Sequence, residues 1–344
     1  MITGCFTALI SPFRNDAVDY EGLEKIVDFQ IQNGINGILA VGTTGESPAL
    51  SWQEHNTIVE HIANQCRNQC ICIAGTGSNN TKECLEATKH AQKAGANAVL
   101  LVDPYYNGPS SLEIRREYIA PVASAFPDID IIPYIIPGRT GTKLLPEDLA
   151  ILHEEYENVQ TVKEATGDTA NMKRIRELCG PDFSILSGDD ALTFDMMTNS
   201  VIRCSGIISV VSNIAPKAVA EMVELIRMNQ LAEAREISDA LMPLFNLVTF
   251  TTTEKTPFGN VVCRARNPLG IKVLVSLLGM PAGRCRRPLG KVTQNAMAII
   301  LETVRSVNRT HPEILKPAAD YFNIDIEERL YHQSNLEALC YETY

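Results

Sequence analysis

The chain has 344 residues, of which 45% are hydrophobic and 21% are charged. This length and composition are typical of a globular protein with a large buried core, and they exclude a disordered or low-complexity chain. Acidic residues outnumber basic residues by 41 to 30, which gives a formal charge of −11 and argues against a nucleic-acid partner.

Eight short, continuously apolar runs dominate the first part of the chain, most of them about 30 residues apart. Runs of this kind are typical of parallel strands that are buried on both faces. We therefore predict strands at 5–13, 37–42, 70–75, 98–103, 129–137, 159–165, 183–189 and 205–211.

Amphipathic helical stretches separate these runs. In one of them, Asn80 and Glu83 have the spacing of a capping box, and Gly95 marks the end of the helix. Eight such βα units predict a (β/α)8 TIM barrel. A doubly wound sheet would instead have a glycine-rich phosphate turn after its first strand, and no such turn is present at 14–16.

Beyond residue 211 the sequence predicts helices at 215–227, 231–248, 269–278 and 290–307, the first of which closes the barrel. The predicted organisation is a catalytic barrel (1–228), a C-terminal helical appendage (229–307) and an extra tail (308–344) that is peripheral and helical or partly disordered. The stretch 251–266 is rich in threonine and then basic, and we assign no element to it.

No basic segment followed by an apolar stretch opens the chain, and no apolar run reaches the length of a membrane span. We expect a cytoplasmic protein with reduced thiols and no membrane partner. Cys66, Cys70 and Cys72 form a cluster without a histidine or acid that completes a ligand set, so we predict no metal site.

The catalytic groups of a (β/α)8 barrel lie at the C-terminal ends of its strands. At the end of the second predicted strand, residues 42–47 (Gly-Thr-Thr-Gly-Glu-Ser) offer backbone amides and hydroxyl groups that suit a carboxylate or small anion. Glu46 can brace this loop instead of taking part in chemistry. At the end of the seventh strand, Asp189 and Asp190 could bind a metal, but no third ligand is evident and a helix N-cap at Asp190 is an equal alternative.

The sixth predicted strand contains a lysine, Lys163, within an otherwise buried run. Strand alternation places the small residues Thr161 and Ala165 on the same face as Lys163. A buried lysine either pairs with an acid or has a lowered pKa. A neutral amine forms Schiff bases, so nucleophilic catalysis and a structural ion pair are equal alternatives at this point.

Taken in order, the strand-end segments resemble the dihydrodipicolinate synthase family of pyruvate-dependent aldolases, a superfamily that includes N-acetylneuraminate lyase. The resemblance covers roughly residues 1–303. The segments that carry it are 42–47, 104–107, Tyr134 with 137–140, 162–165, 187–190 and 206–210.

The resemblance implies a lyase that condenses pyruvate with L-aspartate 4-semialdehyde to give 4-hydroxy-tetrahydrodipicolinate, the first committed step of diaminopimelate and lysine biosynthesis. It implies no cofactor, and an assembly that is commonly a homotetramer built from two tight dimers.

The resemblance also implies roles for individual residues. Lys163 forms the Schiff base with pyruvate. Thr43, Tyr106 and Tyr134 form a proton relay, with Tyr106 reaching into the neighbouring subunit. The residues implied to bind substrate are Thr43 and Thr44 for the pyruvate carboxylate, Ile208 through its carbonyl group, Gly188, and Arg139 for the carboxylate of the semialdehyde.

The same family has a feedback site for lysine near its dimer interface. The residues that match it are Ser47, Trp52, His55, Asn79, Glu83 and Tyr105. We therefore predict inhibition by lysine. The simpler alternatives are a surface histidine at position 55 and helix capping by Glu83.

Four features depart from the family pattern: Ile135 follows the relay tyrosine where the family has asparagine, a few extra residues lie between Asp190 and Gly206, a larger insertion falls within 250–266, and the tail is additional. Two other functions stay open, namely a different pyruvate-dependent aldolase and a non-catalytic barrel that senses lysine or pyruvate. Arg139 favours the synthase over other aldolases. The presence of the full nucleophile and relay set argues against a sensor.

Overall fold

The computed structural model describes residues 1–332 and 334–344. Its first ten strands are β1 (Gly4–Ala8), β2 (Phe13–Arg14), β3 (Ala17–Val18), β4 (Gly37–Ala40), β5 (Ile71–Gly75), β6 (Ala98–Val102), β7 (Asp130–Ile135), β8 (Thr161–Glu164), β9 (Ser184–Ser187) and β10 (Gly206–Ser209). β1 and β4–β10 close into one barrel in the order β1-β10-β9-β8-β7-β6-β5-β4, and β2 pairs with β3 in a small ribbon. The predicted (β/α)8 barrel is confirmed.

Each of the eight predicted apolar runs overlaps one barrel strand, and each strand is shorter than its run. The run at 5–13, for example, overlaps β1 only at residues 5–8, while Phe13 lies in β2. Several apolar residues beyond the strand ends, including Leu9, Ile10, Val41 and Val211, are buried in the segments that follow, so burial extends further along the chain than strand pairing does.

Helices alternate with the barrel strands. They are α1 (Tyr20–Gln32), α2 (Trp52–Cys66), α3 (Thr81–Ala94), α4 (Ser111–Glu113), α5 (Ala120–Ala125), α6 (Pro137–Thr140), α7 (Pro146–Glu155), α8 (Thr169–Cys179), α9 (Thr193–Thr198) and α10 (Pro216–Arg227). Asn80 caps α3 by accepting from the backbone N–H of Lys82, and Gly95 ends it in the left-handed conformation that a residue without Cβ adopts readily. The predicted capping box is therefore incomplete, because Glu83 accepts a hydrogen bond from Ser78.

The stretch to which we assigned no element is an antiparallel ribbon. It consists of β11 (Thr249–Thr256) and β12 (Gly259–Arg266), which follow helix α11 (Leu231–Phe245). One face is partly buried and includes Thr252, Glu254 and Ala265, while the opposite face is exposed. The alternating burial and the β-branched residues explain the ribbon, because such residues fit a pleated, half-buried surface.

The described residues after the ribbon are mainly helical. The helices are α12 (Leu269–Leu277), α13 (Gln294–Thr310), α14 (Pro312–Phe322), α15 (Ile326–Tyr331) and α16 (Ser334–Glu337). Tyr321 and Phe322 of the tail pack against Phe29 of α1 in tilted and edge-on orientations, with ring centroids 5.3 and 5.2 Å away. The helical alternative for the tail therefore holds for α14, which is packed through aromatic contacts.

The chain divides into two compact units that interleave in sequence. The first comprises Met1–Phe6, Asn36–Gly42 and Trp52–Ser209, and the second comprises Thr7–Ile35, Thr43–Ser51 and Val210–Tyr344. The domain boundaries predicted at 228 and 307 stay predictions. Among the described residues, every helix is too short or too polar to cross a bilayer.

Candidate active site

Lys163 lies on β8 of the first unit and is 5% exposed. The pKa of its ammonium group is lowered to about 7, mainly by burial; the negative charge of Asp190 opposes this shift and the positive charge of Arg139 adds to it. A large fraction of the amine is therefore uncharged near neutral pH. This protonation state is the one that attacks a carbonyl group.

Tyr134 is the strand neighbour of Lys163. It lies on β7, pairs with Lys163 in the parallel register, and is buried. The Nζ atom of Lys163 is 4.2 Å from the centre of the Tyr134 ring. This distance places the tyrosine ring beside the amine, and a phenol is one of the side chains that act in proton transfer.

Gly188 follows β9 and makes room for the lysine. A Cβ atom at position 188 would lie 2.7 Å from the Cβ of Ala165 and 3.2 Å from the Cε of Lys163. Any larger residue would therefore push against the lysine side chain. This contact gives a steric reason for glycine at a position that the family resemblance assigned to substrate binding.

Asp190 is a site residue whose role the sequence did not reveal. It accepts a hydrogen bond from the hydroxyl of Ser209 on β10, and its charge acts on Lys163. Asp189, not Asp190, accepts from the backbone N–H groups of Ala191 and Leu192 and so holds the following turn. The N-cap alternative for Asp190 is wrong, because its carboxylate turns towards β10.

The other predicted site residues of the first unit differ in exposure. Arg139 is half-buried on α6, close enough for its charge to lower the pKa of Lys163. Ile208 is buried in β10. Tyr106 is 86% exposed and thus projects from this subunit into solvent. The first unit therefore places Tyr134, Gly188 and Arg139 around the amine of Lys163.

Thr43 and Thr44 belong to the second unit. Thr43 is half-buried, and Thr44 is buried and accepts a hydrogen bond of 3.0 Å from the Nδ2 atom of Asn267. Glu46 is also buried, and its Oε1 atom accepts from the Nζ atom of Lys272. The prediction that Glu46 braces this loop is confirmed. Asn267 begins the Asn-Pro motif that the family resemblance includes, but the sequence indicated no role for Asn267 or for Lys272.

The residues matched to the lysine site form two groups in the first unit, with Ser47 in the second unit. In one group the rings of Trp52 and His55 are 5.0 Å apart, and His55 is 3% exposed, with Nε2 2.9 Å from the carbonyl oxygen of Gly75. The surface-histidine alternative is therefore wrong. Burial lowers the pKa of His55, so this ring is neutral at physiological pH.

The second group contains Asn79, Glu83 and Tyr105. The Oδ1 atom of Asn79 accepts from the backbone N–H of Tyr105 at 2.6 Å. Burial raises the pKa of Tyr105, and the negative charge of Glu83 adds to this shift, so the carboxylate acts electrostatically on the phenol. A carboxylate beside a phenol and an amide oxygen is an arrangement that can accept hydrogen bonds from an ammonium group.

The chain is similar to known proteins over most of its length. The model of the Dihydrodipicolinate synthetase family matches residues 1–306. A 4-hydroxy-tetrahydrodipicolinate synthase of Methanococcus aeolicus is 41% identical over 291 residues, which cover 85% of this chain and 94% of the relative.

Two solved structures are similar over most of this chain. The 4-hydroxy-tetrahydrodipicolinate synthase from Methylacidiphilum fumariolicum SolV has a TM-score of 0.83 at 34% identity and covers 92% of this chain and 99% of its own. The crystal structure of DHDPS from Cyanidioschyzon merolae with lysine bound has a TM-score of 0.80 at 33% identity, with 89% and 98% covered. Residues 307–344 lie beyond the family match.

Proposed function

Since the chain belongs to the dihydrodipicolinate synthetase family, we propose that it is a lyase that condenses pyruvate with L-aspartate 4-semialdehyde to 4-hydroxy-tetrahydrodipicolinate. This reaction opens diaminopimelate and lysine biosynthesis. The observation that carries the proposal is the buried amine of Lys163, with its pKa of about 7, beside the ring of Tyr134. Both residues occupy positions that match the family motif.

The first half of the proposed reaction is formation of a Schiff base. The neutral amine of Lys163 attacks the ketone carbon of pyruvate, and loss of water gives an iminium ion. This ion draws electrons from the methyl group, and Tyr134 helps to carry away the methyl proton. The product is an enamine that is nucleophilic at the former methyl carbon.

In the second half, the enamine attacks the aldehyde carbon of the semialdehyde and forms the new carbon–carbon bond. The amino group of the semialdehyde then displaces the Lys163 amine from the iminium carbon. This step closes the ring and frees Lys163 for another turnover. The overall condensation releases one water molecule.

The remaining roles follow the family resemblance. Thr43 and Tyr106 complete the relay with Tyr134, with Tyr106 supplied by the neighbouring subunit of a homotetramer. Its 86% exposure in a single chain supports this role, because a side chain that acts in a neighbouring subunit has to project from its own chain. The proposed substrate contacts are Thr43, Thr44, Gly188 and Ile208 for pyruvate and Arg139 for the semialdehyde carboxylate.

We also propose feedback inhibition by lysine at the six matched residues. Glu83, beside Tyr105 and Asn79, supplies the negative charge for an ammonium group. The cytoplasmic location predicted from the sequence stays a prediction.

Borohydride reduction with pyruvate, followed by peptide mass spectrometry, tests the proposal. A reduced pyruvyl adduct is expected on the peptide that contains Lys163, and Lys163→Arg serves as the matched control that keeps a positive charge. Product formation is then compared between L-aspartate 4-semialdehyde and a sugar-acid aldehyde. An adduct on Lys163 with turnover of the sugar acid alone would identify another aldolase, and absence of the adduct would favour a sensor.

A further inference from the structure

The loop at residues 43–46 is held in place by three other segments of its own unit. The Oγ atom of Ser11 donates to the carbonyl oxygen of Gly45 at 2.7 Å, and Asn267 donates to Thr44 at 3.0 Å. Glu46 accepts from Lys272 and, at 2.8 Å, from the backbone N–H of Arg286. Three consecutive residues are thus fixed by partners distant in sequence.

The direction of the hydrogen bond between Asn267 and Thr44 decides whether the Thr44 hydroxyl can donate to another group. A threonine hydroxyl has one proton to donate and lone pairs to accept with. Because the Nδ2 atom of Asn267 donates to the Oγ1 atom of Thr44, the hydroxyl proton of Thr44 stays available for another acceptor. Both side chains are buried, so water does not easily replace this bond.

Glu46 is fixed at the other side of Gly45. Its backbone has a φ of +57°, which is disfavoured for a residue with a side chain. Its carboxylate is paired with Lys272, whose side chain is 0% exposed and lies 3.8 Å from the centre of the Phe13 ring. Loss of either partner leaves a buried charge uncompensated, so this pair strongly constrains the turn.

We propose that Asn267 and Lys272 are positioning residues for the pyruvate carboxylate. Asn267 directs the hydroxyl proton of Thr44 towards that carboxylate, and Lys272 holds Glu46 so that the backbone of 43–46 keeps its shape. The inference rests on the proposed function, in which Thr43 and Thr44 bind pyruvate.

The decisive variant is Asn267→Asp, which is nearly isosteric but carries a carboxylate that accepts a hydrogen bond from Thr44 instead of donating one. We expect the KM for pyruvate to rise about tenfold or more, since one directed hydrogen bond to a charged group is lost. The KM for the semialdehyde should stay within about twofold. Asn260→Asp on the exposed ribbon is the matched control, because it makes the same change of charge away from the loop.

Lys272 is tested by three variants. Lys272→Met leaves Glu46 as an unpaired buried charge and is expected to destabilise the fold. Glu46→Gln with Lys272→Met removes both charges, and we expect it to recover thermal stability but not the KM for pyruvate. Lys272→Arg, which keeps the cation, should recover the KM in part. If the double variant recovered both properties, Lys272 would have only a structural role.

The two proposals fail in different ways. If the parent enzyme formed no pyruvate adduct at Lys163, the proposed function and this inference would both be wrong. If the parent formed the adduct and Asn267→Asp reached half-maximal trapping at the same pyruvate concentration, only the positioning role of Asn267 would be wrong.

Discussion

Tyr134 and Lys163 are direct partners in the parallel pairing of β7 with β8, and the lysine Nζ lies 4.2 Å from the centre of the tyrosine ring. The pairing fixes the backbone of both residues, so neither side chain depends on a mobile loop for its position. The proposed nucleophile and its proposed proton-transfer partner lie on adjacent strands and are therefore held more accurately than residues on loops.

The rate of Schiff-base formation should depend on pH with a midpoint near the lowered pKa of Lys163, about 7. Below the midpoint the amine is protonated, so the rate should rise with pH and level off above it. The measurement is the rate of borohydride-dependent inactivation at fixed pyruvate concentration. A midpoint near that of an ordinary lysine would contradict the burial argument.

Substitution of the two charges that act on Lys163 should shift this midpoint in opposite directions. Asp190→Asn removes a carboxylate that favours the protonated amine, so the midpoint should fall. The asparagine can still accept from Ser209, which makes this a conservative change. Arg139→Met removes a cation that disfavours protonation, so the midpoint should rise. Shifts of the same sign in both variants would show that structural change, not charge, is responsible.

Gly188→Ala should impair the lysine through steric contact. The added methyl group meets Ala165 at 2.7 Å and the Cε of Lys163 at 3.2 Å, and overpacking of this kind costs about 1–3 kcal/mol. We expect lower stability in urea unfolding and slower pyruvate trapping. Adding Ala165→Gly removes the closest contact and should recover part of the stability. An alanine variant with parental trapping and stability would contradict the proposed role of Gly188.

Glu83→Gln should weaken inhibition by lysine. The glutamine can still accept the hydrogen bond from Ser78, but it lacks the charge that attracts an ammonium group. We expect the half-inhibitory lysine concentration to rise about tenfold or more, since hydrogen bonds to charged groups are worth roughly 1.5–3 kcal/mol. Inhibition curves for the parent and the variant, each relative to its own rate without lysine, give the measurement. Unchanged inhibition would place lysine elsewhere.

Tyr321 should contribute to stability without affecting catalysis. Its hydroxyl donates to Asp28 at 2.7 Å, and its ring packs on Phe29 of α1. Tyr321→Phe removes only the hydrogen bond and should cost about 0.5–1.5 kcal/mol. Tyr321→Ala also removes the ring and should cost more, because aromatic pairs add about 0.5–1.5 kcal/mol beyond buried area. Urea unfolding gives these differences, and a parallel loss of kcat would link the tail to the site.

Much of the fold and the centre of the site could be predicted from local sequence. Strands buried on both faces are continuously apolar, so the eight runs were visible, and Lys163 stood out as a charged residue within one of them. The ribbon at Thr249–Arg266 was not predicted, since it is buried on one face only and its threonines and arginines resemble a polar loop.

The sequence by itself determined the barrel and its family and indicated Lys163 as the candidate nucleophile, because these depend on periodicity and on motifs within a few residues of each other. Only the tertiary structure decided that Asp190 acts on Lys163, that His55 is buried, and that Asn267 and Lys272 hold Thr44 and Glu46. The last two pairs are separated by 223 and 226 residues. No local pattern connects residues so far apart, since their contact arises only when the chain has folded and burial forces each polar group to find a partner.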